Sequence, residues 1–277
     1  MFERIDFEGL ANTRDLAGIP VGYERQIKPR CLLRSSALAY ATPNDLDRLV
    51  CEYNVRTIVD FRTPEEIEEK PDPELPGVRN VAAPVLRFSS MGVTHENNLH
   101  GGGGLNIGKQ LRAMLSKDFS PDVYMIEFYR NAVTMDSAIE QYRRFFELLL
   151  EQEEGAVLWH CSMGKDRAGI GTALVLLALG ASTDTIIADY LITNTYVAKS
   201  NRADAARYAR MAPFFLRPIL RRKLIQLFSA KASYLECALS AMEQKCGSID
   251  AYLAQELGLG VDERTRLKEL YTCTSTR

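Results

Sequence analysis

The sequence is poor in the residues that hold metals. It has three histidines among 277 residues, and His95 and His100 both fall in a glycine-rich stretch, so no metal centre and no cofactor are expected. The six cysteines, Cys31, Cys51, Cys161, Cys237, Cys246 and Cys273, are scattered without a Cys-x-x-Cys pair. That spacing fits neither zinc ligation nor a secreted disulfide framework, and it suits a reducing cytoplasm. Long hydrophobic runs are missing as well: the most apolar stretch, Ala168 to Ala181, is too short for a membrane span and is interrupted by glycines, so it reads as a buried helix. The opening MFERIDFEGLANTRDL mixes acids with bases and has no apolar leader, which predicts a cytoplasmic protein with no integral membrane segment, export without a leader staying open. A net charge of −2 offers nucleic acid no overall attraction.

What is present, 46% hydrophobic and 25% charged residues, is enough to bury a core, and the chain reads as a single domain over 1–277. VRTIVDF and AVLWH are short apolar runs expected to be buried strands; RCLLRSSAL and VRNVAAPVL are further strand candidates. Thr42-Pro43 with Asp45 marks a capped helix start running towards Tyr53. Pro64 to Gly77 carries four prolines and many acids, which predicts a short acidic helix or turn followed by an extended surface linker. Apolar residues at helical spacing between Pro121 and Gln152 give one or two amphipathic helices, and the chain from Asp184 onward reads as helical, with turns near Pro213, Pro218, Gly247 and Gly258. Strands interleaved with helices imply an α/β fold: a central, mostly parallel sheet flanked by helices, with additional C-terminal helices.

The chemistry sits where AVLWH ends. His160 and Cys161 leave the strand, Ser162, Met163, Gly164, Lys165 and Asp166 make the turn, and Arg167 stands at the start of the next helix, a Cys-x5-Arg spacing. A tight strand-to-helix turn aims backbone N–H groups at one point and suits a phosphate. Helix N-termini and nearby cations lower a thiol from about 8.5 to roughly 3.5–7.5, so Cys161 is expected to be a thiolate. Arg167 supplies a planar fork for two phosphoryl oxygens, Gly164 lets the backbone turn, and Lys165 adds a second cation that favours multiply charged substrates. These parts fit metal-free phosphoryl transfer through a phosphocysteine. An inert buried cysteine in an ordinary turn is the plain alternative.

HCSMGKDRAG resembles the signature loop of the cysteine phosphatase superfamily, and its GKDR form is similar to bacterial tyrosine phosphatases of the mycobacterial B type. NTRDLAG, LLRSSAL, IVDFRTPEEIE, DYLITN and CGSIDAYLAQELGL extend the likeness in order along most of the chain. The resemblance implies a protein-tyrosine phosphatase-like fold and activity on phosphotyrosine, with dual specificity or phosphoinositide hydrolysis in some members. It makes Cys161 the nucleophile, Arg167 the phosphate ligand, and Lys165 and Asp166 the family's distinctive loop pair; Ser162, Met163, Gly164, Lys165 and Ala168 are expected to line the phosphate. Ala168 departs from the hydroxyl residue often found there, so Ser162 or Thr172 would have to assist the departing thiolate. A catalytically weak phosphate-binding module is the reading from another class.

Leaving-group protonation needs a carboxylic acid. Asp166 is favoured, Asp60 is second and Asp15 third, while Asp60 and Arg62 either meet substrate or simply pair with each other. GGLNIGKQ, with Lys109, falls short of a nucleotide-binding loop because Gln110 replaces the hydroxyl that would hold magnesium. From Lys199 to Lys231 nine basic residues face only Asp204 among apolar neighbours. The resemblance makes 195–231 a helical lid that could meet a phosphorylated protein or a phosphoinositide headgroup; a solvated basic face is the plainer reading. Oligomeric state is not legible.

Overall fold

The computed structural model describes residues 3–22, 24–86 and 111–275. The glycine-rich stretch and Lys109 lie outside them. Six strands form the main sheet in the order β1 (Glu3–Arg4), β2 (Arg14–Asp15), β4 (Leu32–Ser35), β7 (Ala156–His160), β5 (Val55–Asp60) and β6 (Arg79–Ala82). β4, β7, β5 and β6 run parallel; β1 and β2 join antiparallel at one edge. β7 is central and every residue of it is buried, the expected position for an unbroken apolar run covered on both faces. A two-stranded sheet pairs β3 (Arg25–Ile27) with β8 (Thr272–Thr274), a strand that the helical reading of the C-terminal part did not anticipate.

Helix α1 (Pro43–Cys51) starts with a capping box, Thr42 accepting from the Asp45 N–H and Asp45 from that of Thr42. The same device on Thr63 and Glu66 opens α2 (Pro64–Glu69). The amphipathic stretch divides at Met135 into α3 (Pro121–Thr134) and α4 (Asp136–Glu151). α5 (Arg167–Leu179) is buried on nearly every side, as its apolar sequence requires. After it come α6 (Thr183–Ala209), a 3-10 turn at Phe214–Leu216, α7 (Arg217–Phe228), α8 (Ala232–Cys246), α9 (Ile249–Gln255) and α10 (Val261–Tyr271). Pro218 opens α7 instead of making a turn, since its missing N–H is harmless in a helix's first turn.

The sheet separates two apolar cores. The larger one gathers Phe61, Tyr142, Phe145, Trp159, Leu174 and the C-terminal helices; the smaller holds Leu33, Leu49, Ile58 and Leu158. Alternate residues of β7 thus anchor opposite cores, which fixes where that strand ends and where the following loop begins.

Candidate active site

Cys161 follows the last residue of β7, and the turn it opens closes six residues later at Arg167, the first residue of α5. Gly164 has φ +66°, and a Cβ there would lie 2.4 Å from the Ser35 carbonyl oxygen. Both facts demand glycine. The loop is gripped from outside through its carbonyls. Ser162 O accepts from the Ala37 N–H at 3.1 Å, Met163 O from Asn12 Nδ2 at 3.0 Å, and Gly164 O from Arg34 Nη2 at 2.7 Å. Because C=O and the following N–H of a trans peptide point oppositely, outward carbonyls turn the N–H groups of Met163, Gly164 and Lys165 inward. That makes an anion-binding concavity.

Two arms of one buried ion cluster hold that grip. Asp189 accepts from Arg14 Nε at 3.0 Å and from Arg34 Nη1 at 2.7 Å. Arg14 Nη1 in turn donates to Asn12 Oδ1 at 2.9 Å, the residue bonded to Met163. Burial alone would raise the Asp189 pKa, but the charges of Arg14 and Arg34 and their hydrogen bonds keep it below the usual carboxylate range. Burial, together with Arg14's charge, draws Arg34 down to about 10.

Arg167 is positioned by a residue of the short acidic helix that the sequence offers as no site residue. Glu66 is 1% exposed, and its carboxylate accepts from Arg167 Nη1 at 2.5 Å and Nη2 at 2.9 Å. Ser162 Oγ donates to Glu66 Oε1 at 2.8 Å and accepts from Arg167 Nη2 at 2.9 Å. Burial pushes Glu66 up, yet the charge and hydrogen bonds of Arg167, with the Thr63 N–H and Ser162, bring it down to about 2. The acidic segment therefore turns inward. Its legible signal was Thr63-Pro64-Glu65-Glu66, a capping box that fixes Glu66 against the backbone.

The thiol differs from expectation. Cys161 is 3% exposed, and burial pushes its pKa above the ordinary thiol value; Arg167 and the Ala168 N–H pull it down, while Asp166 and Glu66 add to the rise. Apolar enclosure thus weighs more on this sulfur than an arginine already committed to Glu66. The side chain of Thr172 donates to the Ala168 carbonyl at 2.8 Å and accepts from Trp159 Nε1 at 3.1 Å, so its hydroxyl serves the helix and not the sulfur.

Asp166 lies at the loop's end, its side chain 23% exposed, accepting from Tyr129 Oη at 2.7 Å and standing 3.3 Å from Lys165 Nζ. Lys165 itself is buried, its Nζ donating to the carbonyls of Leu227 at 2.6 Å and Ser229 at 3.3 Å. It thus braces the end of α7, whereas the sequence suggested an ammonium facing substrate. Asp60 and Arg62 pair with each other: Arg62 Nη2 is 2.8 Å from Asp60 Oδ2 and 2.9 Å from Asp72 Oδ1. His160 Nε2 adds a contact of 2.8 Å to Asp72. Asp60, Asp72 and His160 bring ligand atoms within 4.8 Å of one another, but Arg62 already supplies the positive charge that a metal would bring. Burial opposes protonation of His160, and the nearby Asp60 and Asp72 overcome it, so its pKa is raised. Asp15 accepts from the N–H groups of Ala17 at 3.0 Å and Arg30 at 2.7 Å and shapes a turn.

Beside the loop lies a cavity of about 290 Å3, lined by Asn12, Ser36, Tyr40, Ser162 and Met163 on one side and by Val197, Ser200, Asp204, Arg207 and Tyr208 of α6 on the other. Among the described residues, no helix is long and apolar enough to cross a membrane.

The sequence profile of the tyrosine phosphatase family matches residues 5–273. A protein of Cupriavidus necator, named provisionally as a tyrosine-protein phosphatase, is 33% identical over 262 residues, 92% of this chain and 84% of its own. The triple specificity protein phosphatase PtpB of Mycobacterium tuberculosis is 33% identical over 135 residues, 47% of this chain and 48% of its own. A tyrosine-protein phosphatase of Nostoc commune matches at 39% over 57 residues, 21% of this chain and 19% of its own.

Proposed function

Since the chain belongs to the tyrosine phosphatase family and is a phosphatase, we propose that it hydrolyses phosphotyrosine, with latitude for phosphoserine or phosphothreonine, through a phosphocysteine on Cys161. One observation carries the reading. A cysteine at the end of the central strand opens a loop whose N–H groups converge, and the arginine closing that loop is held by a buried carboxylate. An entering phosphate dianion meets Arg167 and the inward N–H groups, which also favour the thiolate. The Cys161 thiol proton passes to water, the Sγ lone pair forms the S–P bond as the P–O bond to the leaving group breaks, and Asp166 gives that oxygen its proton. Water then attacks phosphorus, Asp166 takes its proton, and the S–P bond breaks to release inorganic phosphate and thiolate. Ser162, bonded to Glu66 and Arg167, is the hydroxyl placed at the loop in the absence of one at Ala168.

α6 and α7 act as the lid over 195–231, with Arg207 and Tyr208 walling the cavity beside Met163. Phosphoinositides are the second substrate class. The observation favouring them is Lys165, which would turn from the α7 carbonyls to a second phosphate once the lid lifts. Membership of a phosphatase family supports turnover over mere phosphate binding.

The test compares a phosphotyrosine peptide with short-chain phosphoinositides, without added metal, in wild type and Cys161→Ser. Turnover should fall by at least about 10³-fold in the variant, and rapid quenching of the wild type should trap phosphate on Cys161. Retained turnover in Cys161→Ser would remove the cysteine mechanism, and the faster substrate decides between the two classes.

A further inference from the structure

The corner between α6 and α7 exposes what soluble surfaces usually cover. Met211, Phe214, Phe215 and Ile219 are 53%, 78%, 63% and 40% exposed, and the two phenyl rings meet edge to face at 5.5 Å. Single exposed apolar residues are ordinary; four within nine positions form a patch.

Cations flank it in the chain. Arg210, Arg217 and Arg221 line one groove of about 430 Å3, and Arg222, next to Arg221 in sequence, is exposed. No acid occurs between residues 205 and 235. Arg217 is fixed by donating to the carbonyls of Ala212 at 3.0 Å and Arg210 at 3.2 Å. The active-site cavity uses another face of α6, through Ser200, Asp204 and Arg207, whereas the groove uses Ala206, Ala209 and Arg210. The groove is therefore separate from the site of chemistry.

We infer that this corner docks the protein on an anionic lipid bilayer, Phe214 and Phe215 entering the interface while the arginines take the lipid phosphates and carboxylates. Exposed aromatic residues flanked along the chain by guanidiniums match a surface that is apolar within and negative at its face. An acidic peptide would satisfy the arginines yet leave the exposed phenyl groups in water, so the bilayer uses more of what the corner presents. The inference concerns binding alone and does not require turnover.

The experiment is flotation of the full chain, carrying Cys161→Ser, with vesicles of phosphatidylcholine alone or with one-fifth phosphatidylserine. The protein should float with the mixed vesicles only, and added salt should weaken the association. Phe214→Ser with Phe215→Ser, and separately Arg221→Glu with Arg222→Glu, should each reduce the bound fraction at least about tenfold. In the Cys161 background both pairs should leave the thermal midpoint and the far-UV circular dichroism spectrum unchanged, showing that the fold is intact. Failure of the parent chain to float with mixed vesicles overturns the inference, as does undiminished flotation of the phenylalanine variant. Loss in the arginine variant alone, paralleled by loss of binding to a polyglutamate peptide, would assign the corner to acidic peptides instead.

Discussion

Glu66 decides whether Arg167 is a fixed fork or a loose cation. Removing one member of a buried pair leaves the other's charge uncompensated, which costs about 3–5 kcal/mol. Glu66→Ala should therefore lower the stability measured by denaturant titration by about 3 kcal/mol, and cut kcat/KM by about 10²-fold because the fork is no longer aimed. The same pair sets an acid limit. Folding depresses the Glu66 pKa from 4.5 to about 2, so its contribution is fully present above 4.5 and is lost as pH falls towards 2. That shift is worth about 3 kcal/mol. Wild type should lose this increment between those values, and Glu66→Gln should show a shallower acid dependence over the same window. Cys161 runs the other way. Its raised pKa means that alkylation by iodoacetamide, followed in the phosphate-free protein, should climb only on the alkaline side of the ordinary thiol value. Rapid alkylation at neutral pH would show that the loop's N–H groups and Arg167 already outweigh burial.

Elements carry the next level of control. Gly164→Ala would force a left-handed φ on a residue with a Cβ and drive that atom into the Ser35 carbonyl. Strain of this kind costs about 1–3 kcal/mol, and the shifted loop should lose about 10²-fold in turnover, read from thermal melts and initial rates. The brace between the loop and α7 is equally local: Lys165→Met would remove the donor from the last carbonyls of that helix. Amide hydrogen exchange over 217–229 should then quicken more than exchange in β7. Much of this was legible beforehand, because β5 and β7 are short segments rich in β-branched or other apolar residues and the loop is named by the spacing of Cys161 and Arg167. For Glu66 only the capping box with Thr63 was legible; its pairing with Arg167 was not, since charge composition points outward and only a tertiary contact brings the two together. Nor could spacing reveal that Lys165 faces a helix end from distant sequence, or that Asp60 and Arg62 close on Asp72 and His160. Those contacts are made by the fold.

Across the whole molecule, Asp189 ties together parts far apart in the chain. It joins β2 through Arg14, β4 through Arg34 and α6 through its own backbone, and both arginines lead on to loop carbonyls. Asp189→Asn would leave two buried guanidiniums short of a negative charge, and should lower the denaturant midpoint by the equivalent of about 3 kcal/mol with the slope unchanged. An altered slope would mean instead that the variant no longer unfolds in one step. The small sheet reaches further still, setting Gln26 opposite Cys273, with Lys28 Nζ donating to the carbonyls of Glu269 and Leu270. During vectorial synthesis β3 leaves the ribosome about 245 residues before its partner. The early segment must wait unpaired until β8 has emerged, so closure of this seam comes late relative to pairing of the neighbouring strands, and chaperone occupancy in that interval should centre on residues near Ile27.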